Sequence, residues 1–445
     1  MDIPTGPRAY PLVGHLLDFL PDKLGFLLRC AAEYGDVVRL RLGSPAYLLN
    51  DPEDIRHVLE TNQRNYEKGR RLTGAVGKQR FGDSLLTSVG TDHLRRRRLL
   101  QPLFTAPAGA TFADLIVALA EQRVASWKDG AEIDVADEMM CLAQEIAGSI
   151  LFGCDYARED SAGFGEAIRT RRRYIQYLFD FPLSLAEQLP ARIVREHRRE
   201  IKRIDGALGR MADARRLDRE PHADLLSRLM HAHGRDGGAL TDQQVRDEVL
   251  ALAITGYETI GEALAWTWYL LSQHEQVFAK LLAEVDAVLA GRTPTADDLP
   301  SLQCVQMVLD EAMRLYPPTW LFVRVALQAD TLPGGATIPA GAKVYLCPYV
   351  TQRNPRYFPQ PERFDPQRFT APARDSRPKY AYFPFGGGVR RCIGQPLAQL
   401  ECILVLATIA RRVALALLPG QTIVPVPGVT LRPKKGIRMR VHTRS

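Results

Sequence analysis

The sequence predicts a mainly α-helical fold with small β-sheets. Three observations carry that prediction: helical apolar periodicity through most of residues 92–316, a few short period-two segments outside it, and no stretch with the character of a linker. Near the N-terminus Val38, Leu40 and Leu42 alternate with Arg39 and Arg41, the pattern of a half-buried strand. Residues 341–350, 421–431 and 437–441 read as further strands. The longest helix is expected to open at the capping box Thr241-Asp242-Gln243-Gln244 and to run to about His274. Another carries Glu311 and Arg314 and stops before Pro317 and Pro318, which cannot continue a helix. We expect one domain over residues 1–445, with its small sheets on the N-terminal side.

Composition narrows the class. The chain is 46% hydrophobic and 24% charged, enough apolar residues for a large core in a soluble globular protein. Its net charge of +7 comes from short basic clusters without interleaved aromatics, which argues against nucleic-acid binding and for a solvated basic face or a docking surface for an acidic protein. Seven cysteines (30, 141, 154, 304, 347, 392, 402) are odd in number and form no CxxC pair. That usage excludes a disulfide framework or zinc site and suits a reducing cytoplasm. The leucine-rich segment from Pro11 to Leu28 is broken by Asp18, Pro21, Asp22 and Lys23, so neither a bilayer span nor a secretory leader is expected.

The densest chemistry lies in Phe385-Gly386-Gly387-Gly388-Val389-Arg390-Arg391-Cys392-Ile393-Gly394. Glycines let a backbone turn tightly and approach a flat ligand closely. Amides in such a turn and the adjacent Arg390 and Arg391 favour a thiolate over a thiol. A thiolate held this way suits an axial position on heme iron, where it favours O–O cleavage. On local chemistry alone, an inert cysteine in a glycine-rich turn fits equally well.

Three upstream patterns are weak singly. Thr255-Gly256-Tyr257-Glu258-Thr259 puts a glycine in mid-helix, at a cost of ~1 kcal/mol relative to alanine, beside an acid and a hydroxyl. Glu311 and Arg314 stand at i and i+3 and share a helix face. In His93-Leu94-Arg95-Arg96-Arg97-Arg98, His93 and Arg97 stand at i and i+4.

Together these motifs resemble the cytochrome P450 family. The heme-binding signature FxxGxRxCxG is met at Phe385, Gly388, Arg390, Cys392 and Gly394, with the ExxR glutamate about eighty residues before the cysteine. The resemblance spans essentially the whole chain and implies the cytochrome P450 fold, with heme b ligated through iron by Cys392. It implies that His93, Arg97, Arg324 and Arg390 contact the heme propionates, arginine suiting carboxylates through its planar fork. Thr259 and Glu258 become the distal pair that delivers protons. Glu311, Arg314 and Arg363, the last in Pro361-Glu362-Arg363-Phe364, become a buried structural network. Arg95, Arg96 and Arg98 are expected to face solvent and steer an acidic partner. Thr255 departs from the usual alanine or glycine and weakens any substrate assignment by analogy.

The activity so implied is a monooxygenase that inserts one oxygen atom from O2 into a lipophilic small molecule, by hydroxylation or epoxidation. A ferredoxin-type donor with its reductase supplies electrons. A peroxide-driven peroxygenase or heme-thiolate isomerase is the alternative, and a non-catalytic heme-binding protein a further one. Pocket walls are expected around residues 70–89 with Leu85 and Leu86, around Ile168–Leu189 with Phe179 and Phe181, at Ile254 and Thr255, and at Trp320 and Phe322. The wording of Tyr316–Trp320 and Pro348–Arg353 resembles bacterial members acting on terpenoid or fatty substrates. The opening Pro4-Thr5-Gly6-Pro7 looks like the lead that follows the anchor of microsomal members, here directly after Met1. A monomeric cytoplasmic enzyme without anchor or fused reductase is the expectation.

Overall fold

The computed structural model describes residues 5–153, 170, 174, 192–217, 223–232 and 238–444. Apart from Thr170 and Tyr174, the expected wall segment Ile168–Leu189, with Phe179 and Phe181, lies outside them. The fold gathers into two compact units, each assembled from three stretches of chain: residues 1–72, 266–284 and 302–393 in the first, and 73–265, 285–301 and 394–445 in the second.

The first unit is built on a five-stranded sheet. Its strand order is Val37–Arg41, Pro45–Leu49, Lys343–Leu346, Phe322–Ala326 and Tyr66–Glu67. The N-terminal alternation predicted at Val38–Leu42 appears as a strand with buried Val38 and Leu40 and exposed Arg39 and Arg41. It pairs antiparallel with its neighbour, while Pro45–Leu49 pairs parallel with Lys343–Leu346. The segment expected to be strand over 341–350 is shorter, because Pro348 opens a helical turn at Pro348–Thr351. Leu49, Ile55, Val58, Leu59, Leu346 and Phe383 pack in one apolar cluster against this sheet.

Beside that cluster, Glu311 and Arg314 lie on the helix Gln303–Leu315 with no exposed surface. Arg314 donates Nε and Nη2 to the two Glu311 oxygens at 2.6 and 2.8 Å, a bidentate pair. Its remaining protons go to the carbonyls of Gln352, Pro361 and Arg363 at 3.0, 2.7 and 3.1 Å. The sequence expectation is corrected here. Arg363 contributes only its carbonyl, and its side chain is exposed beside Gln360. The second guanidinium is that of Arg368, whose Nε lies 3.4 Å from Glu311 Oε1. The Pro-x-Arg-Phe pattern occurs twice, at Pro361–Phe364 and Pro366–Phe369, and the second copy turns its arginine inward.

The second unit holds most of the helices. Its described helices include Gly90–Leu100, Ala113–Ala125, Val135–Phe152, Arg192–Leu217 and Gln395–Arg412. Three-stranded and two-stranded antiparallel sheets form around Glu132–Asp134, Val413–Leu417 and Arg438–Thr443, and around Pro425–Pro427 and Leu431–Pro433. The small sheets therefore do not sit on the N-terminal side alone. Helix Asp242–Gln273 contributes residues up to Ala265 to this unit, and its capping box is present: Gln244 N–H donates to Thr241 Oγ1 at 3.3 Å, and Thr241 N–H to Gln244 Oε1 at 3.1 Å. Between Gly82 and Val89 the chain is irregular, but Arg70–Thr73 and Ala75–Phe81 are short helices where the sequence suggested loop.

The corrected network makes a contrast that urea denaturation can read. Arg368→Ala is expected to destabilise the protein by roughly 1.5–3 kcal/mol, because Glu311 loses a charged partner in the interior. Arg363→Ala keeps the carbonyl that matters and is expected to stay within about 0.5 kcal/mol of wild type. Equal losses for the two would contradict the assignment.

Candidate functional site

The cysteine loop follows directly from Phe383. Gln352, fully buried, accepts the Phe383 N–H through Oε1 at 3.1 Å while its amide nitrogen donates to the Met313 and Arg314 carbonyls at 3.1 and 3.0 Å. Gly386 N–H donates to the Phe383 carbonyl at 3.0 Å, and Cys392 N–H donates back to the Phe385 carbonyl at 2.9 Å, closing the loop. Gly388 has φ +62°, and a Cβ there would stand 1.7 Å from the Leu59 carbonyl oxygen. A Cβ on Gly387 would stand 2.4 Å from the Tyr380 ring. Neither position admits a side chain. Gln63 Oε1 accepts the Val389 N–H at 2.9 Å and fixes the loop's far shoulder.

Cys392 is exposed and stands two residues before Gly394, the N-cap of the eighteen-residue helix Gln395–Arg412. The positive end of a helix dipole favours a thiolate. Three other cysteines have the opposite environment: burial pushes Cys30 and Cys304 up to about 11 and Cys347 up to about 12, which keeps them protonated. In the same unit as Cys392, Arg324 is buried and donates to the Val323 carbonyl at 3.1 Å. Burial, reinforced by the like charge of Arg390, pulls its pKa down to about 10. Burial also lowers Arg390, against the pull of Glu67. Arg324 and Arg390 thus feel each other's charge within the unit that carries Cys392.

The second unit carries the other predicted residues. His93, buried, and Arg97, half-buried, stand one turn apart on helix Gly90–Leu100. Glu258 is buried and accepts the Thr430 hydroxyl at 2.7 Å, a partner the sequence gave no sign of. Thr259 Oγ1 donates to the Thr255 carbonyl at 3.3 Å, and Thr255 Oγ1 to the Ala251 carbonyl at 2.8 Å. Thr255 is exposed in the middle of a helix that is otherwise mostly buried, and a Cβ added at Gly256 would meet nothing within 4 Å. The helix wall is therefore open at Gly256. One turn on, Glu262 lines a cavity of about 170 Å³ with Asp134, Asp137 and Arg432.

Several expectations need adjustment. Arg96 is 1% exposed and held by three carboxylates, so it does not face a partner; Arg98 is exposed and Arg95 partly so. Trp320 and Ile254 are packed into the interior and can shape a pocket only from behind its surface. Phe322 lies under the cysteine loop, against Gly386 and Phe383. Leu85 and Leu86 remain half-buried. Gln352 and Thr430 escaped the sequence reading because a lone polar residue outside a motif carries no periodic signal.

The family model for cytochrome P450 matches residues 4–441. The chain belongs to the cytochrome P450 family. It is 38% identical to the cyclooctat-9-en-7-ol 5-monooxygenase of Streptomyces melanosporofaciens over 94% of this chain and 91% of that one. It is 36% identical to the cyclooctatin synthase of the same organism, over 96% and 93% of the two chains. Pentalenene oxygenase of Streptomyces avermitilis is 31% identical over 99% and 97%. Among solved structures, the cytochrome P450DA heme domain superposes with TM-score 0.89 at 26% identity, covering 100% of this chain and 98% of that one. The retinoic acid-bound cyanobacterial CYP120A1 gives TM-score 0.87 at 25% identity with full coverage of both. The fold is that of a cytochrome P450, and the protein is an oxidoreductase of the monooxygenase type. Family membership implies a heme cofactor, and the residues present fit one: an exposed cysteine beside a helix N-terminus, a cradle of glycines, and buried Arg324 with half-buried Arg390, cations suited to carboxylates.

Gly388→Ala is expected to lose bound heme, read as the ratio of Soret to 280 nm absorbance, because the Leu59 carbonyl blocks the new methyl group. Gly386→Ala, whose Cβ would meet only the Phe322 ring at 3.4 Å, is expected to keep the heme at a cost of about 1–2 kcal/mol for its positive φ. Full heme loading in the Gly388 variant would refute the cradle.

Proposed function

We propose that this protein is a heme b monooxygenase that inserts one atom of dioxygen into a polycyclic terpenoid, with electrons from a ferredoxin-type donor. The observation that carries the reading is Cys392, accessible at a helix N-terminus in a loop that admits no side chain at Gly387 or Gly388. Cys392 would hold the heme iron through its sulfur, with Phe385 and Gly394 framing the loop, and His93, Arg97, Arg324 and Arg390 would hold the propionates. Heme bound in this way supplies dioxygen binding and O–O cleavage, which a thiolate ligand favours.

The chain's own further contribution is proton handling. Thr259 Oγ1 already donates to the Thr255 carbonyl, so its lone pairs remain to accept a proton from the solvent side. Glu258 Oε1 is fixed by the Thr430 hydroxyl and so presents its carboxylate in one orientation. The open space at Gly256 and the exposed Thr255 hydroxyl adjoin this pair. Retention of both residues favours oxygen-driven turnover over the peroxide-driven and isomerase alternatives. Relatives named for cyclooctat-9-en-7-ol and pentalenene support the terpenoid class, and half-buried Leu85 and Leu86 suit such a molecule. We take the enzyme to be a cytoplasmic monomer; no helix among the described residues is long and apolar enough to cross a membrane.

The reduced protein with carbon monoxide should show the red-shifted Soret band of thiolate ligation, and Cys392→Ser should abolish it. A histidine-type band in folded wild-type protein would sink the assignment. Thr259→Ala should retain oxygen consumption but divert it to hydrogen peroxide, roughly a tenfold or greater loss of coupling. Unchanged coupling would remove the relay role. A terpenoid panel screened for the low-to-high-spin shift identifies the substrate.

A further inference from the structure

We propose that Arg96 and Glu248 are specificity-determining positioning residues: together they seat the Gly82–Ser88 loop and thereby fix where Leu85 and Leu86 stand. The proposal rests on the reading above, in which those two leucines face the lipophilic substrate.

The loop is wound upon itself and then fastened from outside. Thr87 Oγ1 donates to the Gly82 carbonyl at 2.8 Å and accepts the Ser84 N–H at 3.1 Å; Ser88 N–H donates to the Ser84 carbonyl at 2.9 Å. Gly82 has φ +70°, and a Cβ there would stand 2.7 Å from Asp247 Cβ, so the loop presses against helix Asp242–Gln273. Two consecutive acids of that helix take its backbone donors. Asp247 Oδ2 accepts the Asp83 N–H at 3.0 Å, and Glu248 accepts the Leu85 N–H through both oxygens at 2.8 and 3.0 Å.

Arg96 locks the arrangement from helix Gly90–Leu100. It donates to the Asp83 carbonyl at 2.6 Å, the Asp83 carboxylate at 2.9 Å, Asp92 at 2.8 Å and Glu248 Oε1 at 3.2 Å. One planar guanidinium therefore joins a loop and two helices, which a lysine's point charge cannot reproduce. The same helix carries His93 and Arg97, so the loop and the propionate-contacting face share one rigid support. Leu85 and Leu86 are not consumed by core packing; they are half-buried side chains on an immobilised backbone. A preorganised wall binds a large ligand without first losing conformational freedom.

Charge makes this node responsive. The groups around Glu248 are Arg96, Asp247 beside it and Asp83 beyond the guanidinium, with Asp92 and Lys78 completing the cluster. Burial, with a smaller push from Asp247, raises Glu248 to about 7 against the pull of the Leu85 N–H and Arg96. Above that pH a carboxylate accepts the Leu85 N–H; below it a neutral acid makes a weaker bond.

The test uses the heme-loaded protein and two azole probes: econazole, large enough to touch the loop, and imidazole, which is not. In Glu248→Gln we expect econazole affinity to fall about tenfold while imidazole stays within about twofold. Amide exchange over residues 82–88 should accelerate, with residues 260–270 unchanged. Arg96→Lys should be intermediate. Equal weakening of both azoles, or faster loop exchange with an unchanged affinity ratio, would reduce the node to a purely structural role and overturn the proposal. Should the variants fail to fold, the wild-type protein decides: the Asp83 and Leu85 amides, held by Asp247 and Glu248, should exchange as slowly as residues 260–270 after correction for intrinsic rates, and unprotected exchange there overturns the idea. Absence of any azole-induced Soret shift in wild type would instead refute the heme reading, leaving the exchange result to judge the loop.

Discussion

The bidentate pair between Arg314 and Glu311 is the constraint on which the cysteine loop depends. Two fully buried charges are costly, and they are tolerated only when every remaining donor and acceptor is used. Here the surplus is absorbed by three carbonyls, by the Asp365 N–H at 2.9 Å from Glu311 Oε1, and by Arg368. Because those carbonyls belong to residues 352, 361 and 363, satisfying one guanidinium folds an otherwise irregular stretch around it. Gln352 carries the order onward, since the side chain that holds the Arg314 and Met313 carbonyls also takes the Phe383 N–H. From Phe383 two hydrogen bonds lead to Cys392. A motif that would mean little on a surface is thus the root of the loop's geometry.

Much of this was legible in the sequence, and the failures have physical reasons. The signature around Cys392, the capping box at Thr241 and the alternation at Val38–Leu42 all encode local geometry, and local geometry is what spacing reports. Arg363 and Arg368 sit in near-identical Pro-x-Arg-Phe words, so composition could not say which would turn inward; Glu311 at the end of a long-range contact decided it. Arg96 was misread because four consecutive arginines look like a solvated stripe. On a helix, neighbours point about 100° apart, so the run supplies both exposed Arg98 and buried Arg96. Thr430 was invisible because its partner Glu258 lies far away in sequence.

The charge distribution follows a common rule in both units. Cations are buried where an anion belongs. Around Arg314 and Arg96 those anions are the protein's own carboxylates. Around Arg324 the neighbouring charge is Arg390, and burial together with that like charge lowers its pKa. A fold that keeps such a cation in its interior gains stability from an anionic group that binds it, so stability and cofactor affinity are linked quantities.

The parallel pairing of Pro45–Leu49 with Lys343–Leu346 has a consequence for biosynthesis. The hairpin of the first two strands can form as soon as it leaves the ribosome, but its sheet partner is about 300 residues away. At roughly 5–20 residues per second, the hairpin's open edge waits on the order of 15–60 s before it is covered. During that interval the nascent chain presents an unpaired row of backbone donors and acceptors. The first unit therefore closes late, after most of the second has been made.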